Sequence, residues 1–343
     1  MEKGENVPSS YVNILVNNSA RSSGKPLEEK HLRQIRDVSP KIRVREITHL
    51  VIGEAAGNRA SSQELDALLA ETEIIYGYAP PDNVVARAPG LKWVQCKLVG
   101  VNKFLDEALI SSRVIVTNAK GMHGTSAGEL VLTMMLTLTK QVPLWSRLQQ
   151  EKRWQNIVPE LLEGKTVGIL GLGNIGRGVA RMARGFNMRI VAIRSKRVTR
   201  ARYADVILPP EGLHDLLTQS DFVVISLPQT PDTTCLIGAA ELKAMKPTAY
   251  LINVARGGII DEPALIRALK EKQIAGAGLD VFTKEPLPAE SPLWELPNII
   301  ITSHIAGQRA DYDDLAGKIF CDNLRRYLDG KKLHNIVNKR RGY

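Results

Sequence analysis

The stretch TVGILGLGNIGRGVARMA, residues 166–183, predicts a buried strand, a glycine turn and the start of a helix. Its glycines follow the spacing G-x-G-x-x-G. The first permits a tight turn, the second lets the backbone approach a pyrophosphate, and the third lets the helix pack closely on the strand. The helix N-terminus would offer N–H groups to phosphates. The pattern favours dinucleotide binding over a merely structural turn, with these candidate contacts: Gly171, Gly173, Asn174, Ile175 and Gly176.

The next apolar run, RIVAI at residues 189–193, ends in a cluster formed by Arg194, Ser195, Lys196 and Arg197. Enzymes that select NAD usually carry an acid here, about 20 residues after the glycines, to bond the ribose 2′-hydroxyl. No acid is present. A guanidinium can bind a 2′-phosphate through two charge-assisted hydrogen bonds, and a serine hydroxyl can add a donor. The cluster therefore predicts a preference for NADP, with NAD possible; a solvated basic loop is the alternative.

Short β-rich runs alternate with helical runs on both sides of this stretch. Examples are VNILVN at residues 12–17, RVIVTNA at 113–119 and NIIITSHIAG at 298–307. Such alternation is typical of parallel sheets built from βαβ units. Because 343 residues exceed the usual size of a single core, we expect two α/β domains. A long helix is expected from about Thr125 to Gln150, broken near Pro143.

The amino-acid composition limits the classes of binding partner that the chain is expected to have. The net charge of +10 is spread along the chain, and aromatic residues make up only 5%, so small anions are favoured over nucleic acid. No apolar run approaches the ~20 residues of a membrane span, and the N-terminal residues lack the apolar region of a signal peptide. Cys96, Cys235 and Cys321 are scattered, predicting buried thiols with neither a disulfide framework nor a metal site, as in a reducing cytoplasm.

Four blocks of the sequence resemble the D-isomer-specific 2-hydroxyacid dehydrogenases. They are VGILGLGNIGRGVA, the long block from SLPQTPDTTCLIG to NVARGGIIDEPALIRAL, GAGLDVFTKEPLP, and NIIITSHIAG, in the family's order. The resemblance spans nearly the whole chain. It implies a fold of two doubly wound parallel-sheet domains, with a Rossmann cofactor domain (120–309) inserted in a flavodoxin-like substrate domain (1–119 and 310–343).

The same resemblance places the family's catalytic arginine at Arg256, its acid at Glu285 and its histidine at His304. Reduction of a 2-oxo acid needs a proton for the developing alkoxide, and an imidazole can donate one near neutral pH. A carboxylate on the other ring nitrogen orients the imidazole and favours its charged form. An arginine can grip the substrate carboxylate and polarise the carbonyl. In isolation each residue could be an ordinary surface or ion-pair residue.

Further contacts follow from the resemblance. Asp280 would bond the nicotinamide carboxamide, unless it is only an acid at a strand end. Backbone N–H groups around Val99 and Gly100 would hold the substrate carboxylate in an interdomain cleft. Tyr76 and Tyr78 either face that cleft or pack in a core, and Trp154 either closes its mouth or is a surface anchor. The remaining expected cofactor contacts are Leu227, Pro228, Val254, Ala255 and Gly307.

The final helix, about Asp311 to Gly330, is expected to pack on the N-terminal third of the chain. In the family the helix from Thr125 builds a homodimer interface; burial within its own subunit is the alternative.

Some positions depart from the family pattern. Asn102 replaces a frequent Asp, Glu129-Leu130 a frequent Glu-His, and Gln308-Arg309 smaller residues. They leave open which 2-oxo acid is reduced: glyoxylate, hydroxypyruvate or a larger one. A dinucleotide-sensing corepressor on the same fold is the alternative function. Glu285 speaks against formate oxidation, because formate enzymes of this group carry Gln there.

Overall fold

The chain divides into two compact units. The computed structural model describes residues 11–19, 24–101, 104–194 and 202–340. Unit one comprises Met1–Met122 and Ala310–Tyr343, and unit two comprises His123–Arg309. Unit two is thus inserted into the chain of unit one. It begins at His123, where the sequence predicted residue 120.

Within the described residues each unit contains one sheet, and the strand pairs of both sheets are parallel. In the described part of unit one the strands are β1 (Val12–Asn17), β2 (Ile42–Glu46), β3 (Ile74–Gly77), β4 (Trp93–Cys96) and β5 (Ile115–Thr117). In unit two they are β6 (Thr166–Leu170), β7 (Arg189–Ile193), β8 (Val206–Leu208), β9 (Phe222–Ile225), β10 (Tyr250–Asn253), β11 (Gly276–Leu279) and β12 (Ile299–Ile301).

Helices connect and cover these strands. Unit one begins with α1 (Glu29–Arg36), α2 (Thr48–Ala55), α3 (Arg59–Ala70), α4 (Val84–Arg87) and α5 (Glu107–Ser111). Unit two contains α6 (Gly124–Thr139), α7 (Val142–Gln150), α8 (Asn174–Gly185), α9 (Leu213–Gln219), α10 (Ala239–Ala244) and α11 (Glu262–Lys270). The last helix, α12 (Tyr312–Leu328), belongs to unit one.

The sheet of unit one has the strand order β2-β1-β3-β4-β5, which is the flavodoxin-like order. Its strands β3 and β4 are buried along their whole length because helices cover both faces. The aromatic ring of Phe320 in α12 stacks on Tyr76 at 4.2 Å and lies 5.3 Å from Trp93. The predicted return of the final helix to the N-terminal third is confirmed, and Gly330 follows it at a φ of 63°.

The sheet of unit two has the strand order β12-β11-β10-β9-β6-β7-β8. Relative to β6, this is the doubly wound Rossmann order with one further strand at the end. The order reverses between β6 and β9, and ligands of such sheets bind at the carboxyl ends of the strands at this switch point. The glycine turn that follows β6 therefore lies where a dinucleotide would be expected.

The predicted break of the long helix near Pro143 is confirmed. The helix is interrupted at Gln141, which has a φ of 55°, and Pro143 lies in the first turn of α7, a position that tolerates proline because its missing N–H has no partner there anyway. One local prediction was wrong. Cys235 is exposed rather than buried, since it lies in a turn at a φ of 50°. Cys96 and Cys321 are buried, and all three thiols are free.

Within the described residues, no helix combines the length and the apolarity that crossing a membrane requires.

Candidate active site

The glycine turn has the geometry that its sequence predicts. Gly171 has a φ of 98°, and a Cβ there would lie 2.9 Å from Leu227. A Cβ on Gly176 would lie 2.2 Å from the Gly171 carbonyl oxygen, whereas a Cβ on Gly173 would have no atom of the described residues within 4 Å. Gly171 and Gly176 are therefore required by the turn itself, while Gly173 leaves open space at the N-terminus of α8. Asn174 and Ile175 form the first turn of that helix.

Arg194 lies beside the glycine turn. The carbonyl oxygen of Ile193 accepts hydrogen bonds from the N–H groups of Gly171 and Leu172, both at 3.2 Å. The N–H of Arg194 itself donates to Leu208 O at 3.1 Å. This places the half-buried Arg194 at the carboxyl end of β7, next to the expected phosphate position. Ser195, Lys196 and Arg197 lie outside the described residues.

His304 and Glu285 form a pair. His304 Nδ1 lies 2.7 Å from one carboxylate oxygen of Glu285, and the other oxygen accepts a hydrogen bond from the Phe282 N–H at 3.1 Å. Partial burial by itself raises the pKa of Glu285, but the bonds from His304 and Phe282 and the nearby charge of Arg256 outweigh it. The pKa of Glu285 is therefore below its ordinary value, and an ionised carboxylate faces the imidazole. With Nδ1 engaged, Nε2 is the nitrogen left for proton transfer.

The loop that carries His304 is organised by Asp280. This side chain is fully buried, and one of its oxygens accepts hydrogen bonds from Thr302 Oγ1 at 2.5 Å and from the Ile305 N–H at 2.8 Å. The other oxygen accepts from the Ala306 N–H at 2.9 Å. The His304 N–H donates to the Asp280 carbonyl at 2.8 Å, and His304 has a φ of 56°. The contact between Asp280 and the nicotinamide carboxamide, which the family resemblance implies, stays a prediction.

Arg256 lies on a turn that two neighbouring features hold in place. The buried Asn253 donates from Nδ2 to the Arg256 carbonyl at 2.9 Å and accepts from the Ala255 N–H at 3.0 Å. A Cβ on Gly257 would lie 1.9 Å from the backbone of Phe282. The turn bearing Arg256 therefore packs directly against the loop bearing Glu285, and the close approach needs glycine.

A second histidine, His123, lies near Arg256 and was not predicted from the sequence. Its ring lies 3.1 Å from where a Cβ on Gly307 would be. Burial lowers the pKa of His123, and the charges of Arg309 and Arg256 lower it further, so the ring is neutral at pH 7. No sequence signal distinguished it from an ordinary helix-start residue.

The other predicted cofactor contacts lie at strand ends of unit two. Leu227 is half-buried against Gly171, and Pro228 is exposed. Val254 and Ala255 are buried directly after β10. Ser226 was missed; its Oγ donates to the Gly171 carbonyl at 2.7 Å and so holds the glycine turn. One sequence signal is common to Asn253, Thr302 and Ser226: each is a polar residue at or just beyond the carboxyl end of an apolar strand.

In unit one, Val99 and Gly100 follow β4, and the Val99 carbonyl accepts from Asn118 Nδ2 at 2.7 Å. Their substrate contact stays a prediction, and Asn102 lies outside the described residues. Tyr76 is a core residue. Tyr78 lies against the ammonium group of Lys97, which is 4.7 Å from its ring centroid.

Lys97 was also missed. It is fully buried, its ammonium lies 2.5 Å from Asp313, and it donates to Asn18 as well. Burial lowers the pKa of Lys97, while Asp313 acts in the opposite direction.

The residues of unit two fit a dinucleotide. The N-terminus of α8 is open at Gly173, so N–H groups and the positive end of the helix dipole are available to a pyrophosphate. The switch point lies between β6 and β9, and Arg194 stands at the end of the neighbouring strand β7. The family profile described as D-isomer specific 2-hydroxyacid dehydrogenase, NAD binding domain, matches residues 132–306.

The chain belongs to this family. A glyoxylate reductase from Pyrococcus horikoshii is 35% identical over 268 residues, which cover 75% of this chain and 79% of that protein. A D-3-phosphoglycerate dehydrogenase from Mycobacterium bovis is 35% identical over 281 residues, covering 81% of this chain. The match spans only about half, 52%, of that longer relative.

Among solved structures, a D-isomer specific 2-hydroxyacid dehydrogenase from Xanthobacter autotrophicus, in complex with NADPH and MES, superposes with a TM-score of 0.78. It is 30% identical, and the comparison covers 98% of this chain and all of that one. This family membership confirms the resemblance that was seen in the four sequence blocks.

Proposed function

We propose that this D-2-hydroxyacid dehydrogenase interconverts a 2-oxo acid and a D-2-hydroxy acid and works mainly as a 2-oxo-acid reductase with NADPH. The observation that carries the proposal is the His304–Glu285 pair, 2.7 Å apart, beside the turn that bears Arg256. NADPH, when bound, would supply a hydride to the carbonyl carbon. The residues of the chain supply the rest of the chemistry.

His304 would donate the proton that converts the carbonyl oxygen to a hydroxyl. Glu285 fixes the ring orientation through Nδ1 and stabilises the imidazolium, so that Nε2 carries the proton toward the substrate. In the reverse direction the same nitrogen accepts the proton from the hydroxyl group. Arg256 would pair with the substrate carboxylate and polarise the carbonyl, because a guanidinium offers two parallel donors to planar oxygens.

The preference for NADP rests on Arg194. It stands at the carboxyl end of β7 beside the glycine turn, where NAD-selective enzymes usually place an acid. The NADPH in the Xanthobacter autotrophicus complex supports the same cofactor here. Replacing Arg194 with Gln should lower the kcat/KM ratio of NADPH over NADH by about tenfold, since one charge-assisted phosphate contact is lost.

A matched control for this variant is Arg189→Gln, which removes the same charge from the opposite end of the same strand. The oxidation of NADPH and of NADH is followed by nicotinamide absorbance with a panel from glyoxylate and hydroxypyruvate to phenylpyruvate. An unchanged ratio in Arg194→Gln, or an equal change in Arg189→Gln, would contradict the cofactor assignment. Tight cofactor binding without turnover of any acid would instead favour a dinucleotide sensor of the corepressor kind.

The acid reduced is proposed to be glyoxylate, hydroxypyruvate or a larger 2-oxo acid, and the compartment a reducing cytoplasm. The name of the Pyrococcus horikoshii relative, glyoxylate reductase, supports the first of these acids. The best substrate in the panel decides among them. A rate with hydroxypyruvate or phenylpyruvate that exceeds the rate with glyoxylate would reject glyoxylate as the preferred acid.

We further propose a homodimer formed through α7 and the segment that follows it. Large apolar side chains are exposed there: Val142, Trp145, Trp154, Val158 and Leu161. Trp154 is fully exposed and Val158 is 90% exposed, and apolar side chains this exposed and this close in sequence favour a protein interface. The alternative of burial within the subunit holds for only part of this region, since α6 buries one face in the core of unit two.

Replacing Trp154 and Val158 together with Ser should convert dimers into monomers, measured as molar mass by light scattering. Trp294→Ser is the control, because Trp294 is 52% exposed but lies outside this segment. A wild-type protein that is already monomeric at working concentration would reject the dimer.

A further inference from the structure

Unit one contains a cavity that the proposed activity does not use. Its volume is about 650 Å³, within the size range of small-molecule sites. Three segments of the chain form its wall: the residues just after β5, the last turns of α12, and the stretch that follows α12. The lining residues are Asn118, Lys120, Arg326, Lys332, Leu333, His334, Asn335 and Ile336.

The described lining residues carry positive charge and include no carboxylate. Lys120, Arg326 and Lys332 each contribute a cation. None of the three has an ion pair within the described parts of the chain. Their neighbours outside the lining differ: Lys331 pairs with Asp329 at 2.9 Å and Arg325 with Asp322 at 3.1 Å. Uncompensated charge is therefore concentrated in the concave part of this face, where it raises the local concentration of anions.

Hydrogen bonds hold the segments of the wall together. Asn335 Nδ2 donates to the Lys120 carbonyl at 2.8 Å and to the Asn118 carbonyl at 3.3 Å, which joins two of the three segments. The fully buried Asn323 accepts from the His334 N–H at 2.7 Å and donates to the His334 carbonyl at 3.1 Å. These bonds restrain the backbone of the wall before any ligand arrives, which reduces the entropy cost of binding.

Arg326 is oriented by the same wall. Its Nε donates to the Lys332 carbonyl at 2.7 Å. This bond anchors the inner edge of the guanidinium and leaves the two terminal nitrogens, which can bind two oxygens of one anionic group. Lys120 and Lys332 act as point charges on the same wall.

We propose that this cavity binds a small organic anion that carries two or more negative charges. Three cations on one wall are matched by a phosphate monoester or a polycarboxylate, which share clustered anionic oxygens, and not by a monocarboxylate. A planar apolar ligand is disfavoured, because just two of the described lining residues, Leu333 and Ile336, have large apolar side chains.

The proposal is tested by calorimetric titration of the full chain with citrate and with pyrophosphate, using acetate at equal ionic strength as the monovalent control. Citrate, pyrophosphate or both should bind, and acetate should not. Lys332→Gln and Lys120→Gln should each weaken binding by about tenfold, because each removes one charge-assisted contact. Lys331→Gln is the matched control: it removes the same charge from the adjacent position outside the lining and should leave the affinity unchanged.

Arg326→Lys and Arg326→Gln complete the series. Both lose the bond to the Lys332 carbonyl, but only the lysine keeps the charge, so tighter binding by Arg326→Lys than by Arg326→Gln supports a charge-based site. Binding of citrate alone identifies a carboxylate ligand, and binding of pyrophosphate alone a phosphate ligand. Three results overturn the proposal: no binding of either probe to the wild type, equal binding of acetate, or equal weakening by Lys331→Gln and Lys332→Gln.

Discussion

His304 combines an unusual backbone with a fixed ring. Its φ of 56° is a left-handed conformation that histidine adopts more readily than most residues but still rarely. Two hydrogen bonds stabilise this geometry: the Asp280 carbonyl accepts from the His304 backbone N–H, and the Glu285 carboxylate pairs with the His304 ring. Strained residues of this kind cluster at active sites, where surrounding contacts stabilise them. Replacement of Asp280 and replacement of Glu285 should therefore have different effects on catalysis.

The first prediction concerns proton transfer. His304→Ala should lower kcat by about 100- to 10,000-fold, the usual worth of a general acid, while the Kd for NADPH changes little. Steady-state kinetics and cofactor titration measure the two quantities. A variant that keeps the wild-type kcat would remove His304 from the mechanism.

The second prediction concerns pH. The folded-state pKa of Glu285 is lowered, so its contribution to stability is present above the unfolded-state pKa and is lost as the pH falls through the folded-state pKa. The pair should therefore persist at neutral pH and fail only in acid. Glu285→Gln lacks the carboxylate that titrates in the wild type, so its rate should lose the change that protonation of Glu285 causes in acid.

The pH profiles of kcat/KM for wild type and Glu285→Gln measure this effect. Thr283→Ala, in the same loop, is the control, since the Thr283 side chain takes no part in the pair. Superimposable profiles of the wild type and Glu285→Gln would show that the carboxylate does not act on His304.

The third prediction separates two roles of Asp280. Asp280→Asn places an amide where N–H groups now donate, which leaves donors facing donors and should lower the free energy of unfolding by about 1–3 kcal/mol. Because the loop carries His304, kcat should fall as well. Thr302→Val removes only one of the hydrogen bonds to the same carboxylate and should have a smaller effect. An unchanged stability with a higher KM for NADPH would instead assign Asp280 to the cofactor alone.

At the scale of elements, the turn between β6 and α8 shows how one motif contains glycines with different tasks. Gly176 allows α8 to approach the Gly171 carbonyl, while Gly173 borders open space. A methyl group should therefore affect stability at Gly176 and cofactor binding at Gly173. This difference provides a matched pair of variants.

The fourth prediction uses that pair. Gly176→Ala should lower the free energy of unfolding by about 1–3 kcal/mol, because the added methyl overpacks a closed contact. Gly173→Ala should leave stability nearly unchanged but weaken NADPH binding, since the methyl occupies the approach of the pyrophosphate. Thermal unfolding and cofactor titration measure both. Unchanged NADPH affinity in Gly173→Ala would place the pyrophosphate elsewhere.

At the scale of the whole molecule, unit one is built from the two ends of the chain. Lys97 follows β4 and Asp313 begins α12, with unit two between them in sequence. Their contact, with Asn18 and Tyr78 around it, ties the final helix to the carboxyl ends of the sheet. Phe320 adds the apolar part of the same attachment.

The fifth prediction concerns this attachment. Asp313→Asn leaves a buried ammonium without its counter-charge and should lower the free energy of unfolding by about 3 kcal/mol. The double variant Lys97→Met, Asp313→Asn should recover most of this loss, because the uncompensated charge is gone. Asp329→Asn, which removes an exposed partner of Lys331, is the control and should change little.

Urea denaturation measures these free energies, and hydrogen exchange shows whether the loss is confined to unit one. A double variant no more stable than Asp313→Asn would mean that the lysine itself, rather than its unpaired charge, is needed for the fold.

Much of the fold follows from local sequence patterns. The runs VNILVN and RIVAI form β1 and β7 over the predicted residues, because continuous apolar runs of this length suit strands covered on both faces. The glycine turn was predictable residue by residue, since its spacing reflects steric limits on the backbone. The family resemblance placed Arg256, Glu285 and His304, and the structure pairs the last two.

The tertiary structure alone decided which distant groups meet. The sequence contains no sign that Asp280 binds the loop of residues 302–306, that Gly257 packs on Phe282, or that Lys97 is buried against Asp313. Nor does it reveal the cavity lined by Lys120, Arg326 and Lys332. Local propensity acts over a few residues, whereas these contacts join segments that only strand order and helix packing bring together. The sequence by itself thus determined the strands, the glycine turn and the chemistry-bearing residues, and the packing of the chain determined their partners.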